Sequence, residues 1–183
     1  MAKNMMRQKQ GFTLIELISS ISIFVIISTV MVVNFREGER LSNLNYSART
    51  VVQEVKRMQA SALSSKSVSG GISLPQGFGI RFNKDDNRNF YFLFADKNNN
   101  KIYDGVQELL VSGDIKFPSK VYTSALLPDN NYVDVLFLQS TGAVFIDGQE
   151  ALSEVRITLS HEGLLDHTKT IVISRLSGLA KIE

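Results

Sequence analysis

The sequence contains no cysteine, no tryptophan, two histidines and three prolines in 183 residues. Without cysteine, a secreted domain has no disulfide framework, and zinc–thiolate sites and thiol chemistry are excluded. Without tryptophan there is no tryptophan-lined ligand platform. His161 and His167 are the whole histidine stock, which narrows acid–base and metal chemistry. No proline falls between Met1 and Gly71, so nothing in that stretch interrupts a helix by ring geometry. The formal net charge of +2 is near zero for this length, and the cations are scattered. No nucleic-acid surface is predicted from such a balance. The length admits one modest domain plus an extension.

What is present is strongly ordered along the chain. The first ten residues carry Lys3, Arg7 and Lys9 with no acid, and Gly11 follows. Residues 12–35 then read FTLIELISSISIFVIISTVMVVNF, with Glu16 as the one charge. About twenty apolar residues in a helix rise to roughly 30 Å, enough to cross a bilayer core. The basic end is expected to stay cytoplasmic, which places the rest of the chain on the far side. From Leu41 a second pattern begins. Leu41, Leu44, Ala48, Val51, Val55, Met58 and Ala62 recur at spacings of three and four, one stripe on a helical period. Glu37, Glu39, Arg40, Arg49, Glu54, Lys56 and Arg57 supply the wet side. One long helix is predicted from about Thr13 to about Ser64, its first half (12–35) in lipid and its second (36–66) packed on a domain. The serine-rich SALSSKSVSGG, ending in Gly70 and Gly71, is expected to stop it.

From residue 67 to 183 the period shortens to two. GFGIRFN sets Phe78, Ile80 and Phe82 on one face; NFYFLFA sets Phe90, Phe92 and Phe94 on one face and Tyr91 and Leu93 on the other. Lys84–Arg88 is expected to join them as a hairpin loop. YVDVLFLQ, AVFID, SEVRITLS, KTIVISR and GLAKI are further strand candidates. Short strands at about ten-residue intervals, with no second helical pattern between them, indicate an antiparallel meander. The fold class is α+β: a long N-terminal helix packed on an antiparallel sheet domain.

A basic start followed by an apolar run also describes a secretory signal peptide. That reading wants a charge-free run and a small-residue cleavage site after it. Here Glu16 sits near the start of the run, and bulky, charged NFREGER follows. A lone carboxylate in lipid costs about 2.5–3.5 kcal/mol on insertion scales, so Glu16 needs a partner or must stay protonated.

Asp96–Glu108 reads DKNNNKIYDGVQE. Asp96, Asn98 and Asn100 at alternate positions, followed by Asp104, present the oxygen ligands that a calcium loop uses. An EF-hand-like loop would have glycine where Lys101 stands and an acid where Gln107 stands. A solvated turn built on Asn and Asp is the competing reading. The catalytic search finds little: no glycine-rich phosphate loop follows a strand, and His161 and His167 fall where a hairpin is expected. Ser140-Thr141-Gly142 lacks the surroundings of a nucleophile elbow. No enzyme activity is predicted. A membrane-tethered enzyme or ligand-binding module using the same anchor is the rival reading, and it requires a pocket of convergent polar groups.

The basic leader, Gly11 and FTLIELI closely resemble the N-terminal signature of type IV prepilins. The resemblance implies cleavage by prepilin peptidase between Gly11 and Phe12, methylation of the new amine on Phe12, and an assembly role for Glu16. Glu16 would pair with the Phe12 amine of a neighbouring subunit, or with its own. The downstream runs FADKNNNKIYDGVQELL, VLFLQSTGAVF and KTIVISRLSGLAKI are similar to the head of GspH/FimT-type minor pseudopilins, with Asp96, Asn98, Asn100, Asp104, Glu108, Gly142 and Gly178 at the marked positions. Absence of cysteine and of a helix-kinking proline near Val33 departs from many major pilins. The expected setting is the cytoplasmic membrane with the head outside, then a pilus or type II secretion fibre. The implied partners are prepilin peptidase, other pilins, an assembly platform and a cytoplasmic ATPase.

Overall fold

The computed structural model describes residues 12–64, 74–84, 90–110, 115–118, 120–128 and 131–183. The chain divides after Glu39 into two compact units, Met1–Glu39 and Arg40–Glu183. One helix, α1 (Leu14–Leu63), carries residues of both.

In the first unit the helix stands alone. Its large apolar side chains, from Leu14 and Ile15 to Met31 and Phe35, are exposed. Mean hydropathy reaches 2.3 over an 18-residue window, so the helix is long and apolar enough to cross a membrane. Ser19, Ser20, Ser22 and Thr29 donate their hydroxyls to the carbonyls of Ile15, Glu16, Ile18 and Val25, four residues back. Each hydroxyl is thereby satisfied within the helix, as a lipid setting requires.

In the second unit the stripe read from the sequence is the buried face. Leu44, Ala48, Val51, Val55, Met58 and Ala62 are all buried, with Leu41 packed at the margin. The helix ends at Leu63, and the Ser140 N–H reaches the Ala62 carbonyl at 3.3 Å. The glycines expected to stop it, Gly70 and Gly71, lie outside the described residues.

Nine strands form two sheets among the described residues. They are β1 (Gly77–Asn83), β2 (Phe90–Asp96), β3 (Ile115–Lys116), β4 (Val121–Leu127), β5 (Tyr132–Leu138), β6 (Val144–Ile146), β7 (Glu154–His161), β8 (Leu164–Ser174) and β9 (Ala180–Ile182). The orders are β3-β2-β1-β5-β6 and β4-β7-β8-β9, with antiparallel pairing throughout. A single meander, the sequence expectation, is therefore only partly realised. β1 sits between β2 and β5, and β4 joins the other sheet by pairing with β7. Both pairings are long-range, and local periodicity carries no information about them. Strands β3 and β4 are not legible in the sequence: β3 has two residues, and β4 changes register between Thr123 and Ala125, which breaks its alternation. The expected hairpin loop at Lys84–Arg88 lies mostly outside the described residues.

The main core joins the α1 stripe to inward side chains of both sheets, including Phe82, Tyr91, Leu93, Phe137, Ile157 and Ile171. On β2 it is Tyr91, Leu93 and Ala95 that enter this core. The opposite face carries Phe92 and Phe94, which pack on Tyr103 with ring centroids 5.5 Å apart in each case. Phe94, Leu136 and Phe145 form a second, smaller apolar cluster there. Gly79 is bare because the Phe94 ring crosses it: a Cβ would lie 2.4 Å from a ring carbon.

Candidate processing and assembly site

The N-terminus of α1 is built from four consecutive residues, Thr13-Leu14-Ile15-Glu16. Thr13 is the residue before the first helical position, and Glu16 occupies the third. Glu16 Oε2 accepts from the Thr13 backbone N–H and from the Thr13 hydroxyl, each at 2.8 Å. Thr13 Oγ1 in turn accepts from the Glu16 N–H at 3.3 Å. This is a capping box, which satisfies helix-start donors that would otherwise face lipid. The T-x-x-E spacing is present in the sequence, and the cap gives Glu16 a second role beside its charge, one that the sequence reading missed. Phe12, immediately before, is 89% exposed. Gly11 lies outside the described residues. In the uncut chain the Phe12 nitrogen is a peptide nitrogen, so a charged amine facing Glu16 exists only after cleavage.

The Asp96–Glu108 loop is tightly self-bonded. Asp96 is fully buried; its Oδ1 accepts the Asn99 N–H at 2.7 Å and its Oδ2 the Lys101 N–H at 3.0 Å. Asn98 and Asn100 both donate their side-chain amides to Asp104 Oδ2. Their own Oδ1 atoms accept the N–H groups of Asn100 and Ile102. Lys101 takes φ 68°, a left-handed turn at the position where a calcium loop uses glycine. Glu108, in the short 3-10 turn Val106–Glu108, closes the base by accepting the N–H groups of Lys97 and Asp104 at 3.2 and 3.0 Å. The loop thus gathers Asn98, Asn100 and Asp104 around one carboxylate oxygen and directs Asp96 inward onto backbone. Asp104 is the outward-facing acid, and in this arrangement amide nitrogens rather than oxygens face it. Among the described residues no three His, Cys, Asp or Glu side chains cluster to hold a metal.

The same loop is pinned to the sheet from below. Arg81 on β1 donates through Nε and Nη2 to the two oxygens of Asp134 on β5 at 2.6 and 2.5 Å. Asp134 Oδ2 also accepts the Tyr103 N–H at 3.0 Å. The guanidinium lies between the rings of Tyr103 and Tyr132, 4.8 and 4.4 Å from their centroids.

The two histidines occupy strands rather than a loop. His161 ends β7 and His167 lies within β8, joined through the tight turn at Glu162 and Gly163. His161 Nδ1 accepts the Gly163 N–H at 3.0 Å. Ser140-Thr141-Gly142 forms the turn between β5 and β6. Gly142 has φ 67°, and a Cβ there would meet Leu63 at 2.9 Å.

The basic leader, the glycine, the capped Thr13–Glu16 start and the exposed apolar helix define a prepilin-type N-terminus. Residues 6–32 match the family model for the prokaryotic N-terminal methylation motif. This motif implies processing by prepilin peptidase and assembly with other pilins. No curated protein matches the chain. Among solved structures, the type IV minor pilin FimU of Pseudomonas aeruginosa is similar, at 10% identity. The alignment covers 78% of this chain and 89% of that one, with a TM-score of 0.49.

Proposed function

We propose that this chain is a minor pilin or pseudopilin, a structural subunit with no catalytic role. It is inserted in the cytoplasmic membrane, cut between Gly11 and Phe12, methylated on Phe12 and assembled through α1 into a short fibre. The observation that carries this reading is the apolar half of α1, which begins within the methylation motif and, among its described side chains, buries none of the large apolar ones. Such a surface is stable in lipid, and once extracted it must be covered by other helices of the same kind. Glu16 then has a use beyond capping. A carboxylate in a low-dielectric bundle attracts an amine strongly only at contact, so pairing with the Phe12 amine of a neighbouring subunit sets axial register. The head domain stays outside the cytoplasm, and the fibre draws on an assembly platform and a cytoplasmic ATPase.

Two measurements test this. Mass spectrometry of the native protein is expected to show N-methylated Phe12 as the first residue. Glu16→Ala is expected to leave membrane insertion intact and abolish incorporation into fibres. Retention of the first eleven residues, or release of a domain trimmed downstream of Phe35, overturns the reading. Unchanged incorporation of the variant removes the assembly role of Glu16.

We also propose that the Asp96–Glu108 loop takes calcium through Asp96, Asn98, Asn100 and Asp104. The alternate spacing of Asp96, Asn98 and Asn100 ahead of Asp104 and the left-handed turn at Lys101 support it; calcium would have to displace the Asn98 and Asn100 amide nitrogens from Asp104. Bound calcium would supply positive charge at Asp104 and tie the loop together. Thermal melting of the full chain in detergent is expected to rise with calcium and fall with chelator. Identical melting in both removes the proposal.

A further inference from the structure

The turn between β7 and β8 is tied down from three sides, all within the Arg40–Glu183 unit. The Glu162 N–H donates to the Lys120 carbonyl, just ahead of β4, at 3.0 Å. The Gly163 N–H donates to Nδ1 of His161 at 3.0 Å. Nη1 of Arg40 donates to the Gly163 carbonyl at 2.9 Å. The second bond differs from the others because its acceptor takes up protons. An imidazole accepts at Nδ1 only while it is neutral with its hydrogen on Nε2; the imidazolium carries N–H at both nitrogens and would set one donor against another. His161 is buried, so the ring cannot turn to water while the turn is closed. Arg40 from α1 and Lys120 from the approach to β4 both oppose a proton on it, and Glu162 in the turn itself favours one. Asp166 and His167, on β8, are exposed.

The ladder next to the turn lets it move alone. His161 pairs with Leu164, and the next pair is Ser160 with Thr168. Leu165, Asp166 and His167 have no partner on β7 in that register and are exposed. A single pair therefore closes the turn, beyond a break in register, and its loss need not unzip the strands behind it.

We propose that the Glu162–Gly163 turn is a proton-operated latch: a proton taken from solvent onto His161 Nδ1 breaks its bond to Gly163, and the turn leaves Arg40 and the Lys120 carbonyl while the rest of the β7–β8 ladder stays paired. The latch is closed in neutral solution and opens in acid. It belongs to the head alone and does not depend on the pilin reading.

The test uses the full chain in detergent micelles and nitrogen-15 NMR. At neutral pH the His161 ring is expected to be the neutral form with hydrogen on Nε2. As pH falls below about 6.5, the protection of the Glu162 and Gly163 amides, corrected for intrinsic exchange, is expected to drop about ten-fold, the scale of one lost hydrogen bond. The drop should share its midpoint with the ring titration. The amides of Ile157 and Ile171, opposite each other in the middle of the same ladder, are expected to keep their protection. His161→Asn keeps an acceptor, since an Asn side-chain oxygen bonds the N–H two residues on, and it does not titrate. Protection of the turn in this variant is expected to be independent of pH. Turn amides that stay protected while the ring titrates, or that open at a different midpoint, overturn the latch. So does opening in acid that persists in His161→Asn. Loss of protection at Ile157 and Ile171 together with the turn makes the event global unfolding and overturns it as well.

Discussion

The guanidinium of Arg40 lies close to Gly163 and donates through Nη1 to its carbonyl oxygen at 2.9 Å. A Cβ on residue 163 would stand 2.8 Å from Nε and 2.9 Å from Cζ of Arg40. Gly163 is therefore bare to admit the arginine, and the contact fastens the β7–β8 turn to the start of the packed half of α1. Gly163→Ala is expected to displace Arg40 and destabilise the head by about 1 kcal/mol, the scale of one net hydrogen bond. Arg40→Ala should cost a similar amount. The double variant should cost less than the sum, because both changes remove one contact. Urea denaturation of the full chain in detergent, run as a double-mutant cycle, checks this. Strict additivity rejects the clasp.

His161 gives the same turn a pH dependence. Burial lowers its pKa from the usual value, and the nearby charges of Arg40 and Lys120 lower it further, against a small opposing effect of Glu162. The neutral ring also accepts the Gly163 N–H, which a doubly protonated ring cannot do. With the folded value below the unfolded one of about 6.5, the unfolded chain takes up the proton first. The stabilisation is complete above about pH 6.5 and is lost as pH falls from there toward the folded value. Melting temperature is expected to drop across that window. His161→Asn should flatten this part of the profile while leaving the steeper carboxylate-driven fall at lower pH. An unchanged slope in the variant would assign the loss to other groups.

Much of this architecture is legible in the amino-acid sequence. The stripe from Leu44 to Ala62 maps onto the buried face of α1 because a regular period of 3.6 records which side of a helix is covered. Phe78, Ile80 and Phe82 read as one face of β1 for the corresponding reason in a strand. The T-x-x-E cap is written at Thr13 and Glu16, although a lone charge in an apolar run is the more conspicuous signal there. Relationships across long sequence distance are what cannot be read. Arg81 and Asp134 are 53 residues apart, and only the β1–β5 pairing brings them opposite each other. Ser124, in the register shift of β4, interrupts the alternation that would have marked that strand. The calcium-like spacing is visible at Asp96. Its use of both carboxylate oxygens for the Asn99 and Lys101 N–H groups depends on a turn conformation that spacing does not specify.

The Arg81–Asp134 pair supports the last prediction. Asp134 has no exposed surface, and its side chain accepts from the Arg81 guanidinium and from the Tyr103 N–H. Removing Arg81 leaves a buried carboxylate without its cation and takes away the plate between Tyr103 and Tyr132. Breaking one side of a buried pair costs about 3–5 kcal/mol, whereas replacing both partners by apolar groups of similar volume is often close to neutral. Arg81→Met alone is therefore expected to be strongly destabilising, and adding Asp134→Leu should recover most of the loss. The recovery has a limit that separates global from local effects. Tyr103 N–H loses its acceptor in the double variant, so the Asp96–Glu108 loop should stay loosened even when the head is stable again. Hydrogen exchange at the Tyr103 and Asp104 amides, read beside urea denaturation, measures both. If the double variant restores slow exchange in the loop, Asp134 is not what pins it to the sheet, and the anchoring falls to the packing of Tyr103 on Phe92 and Phe94.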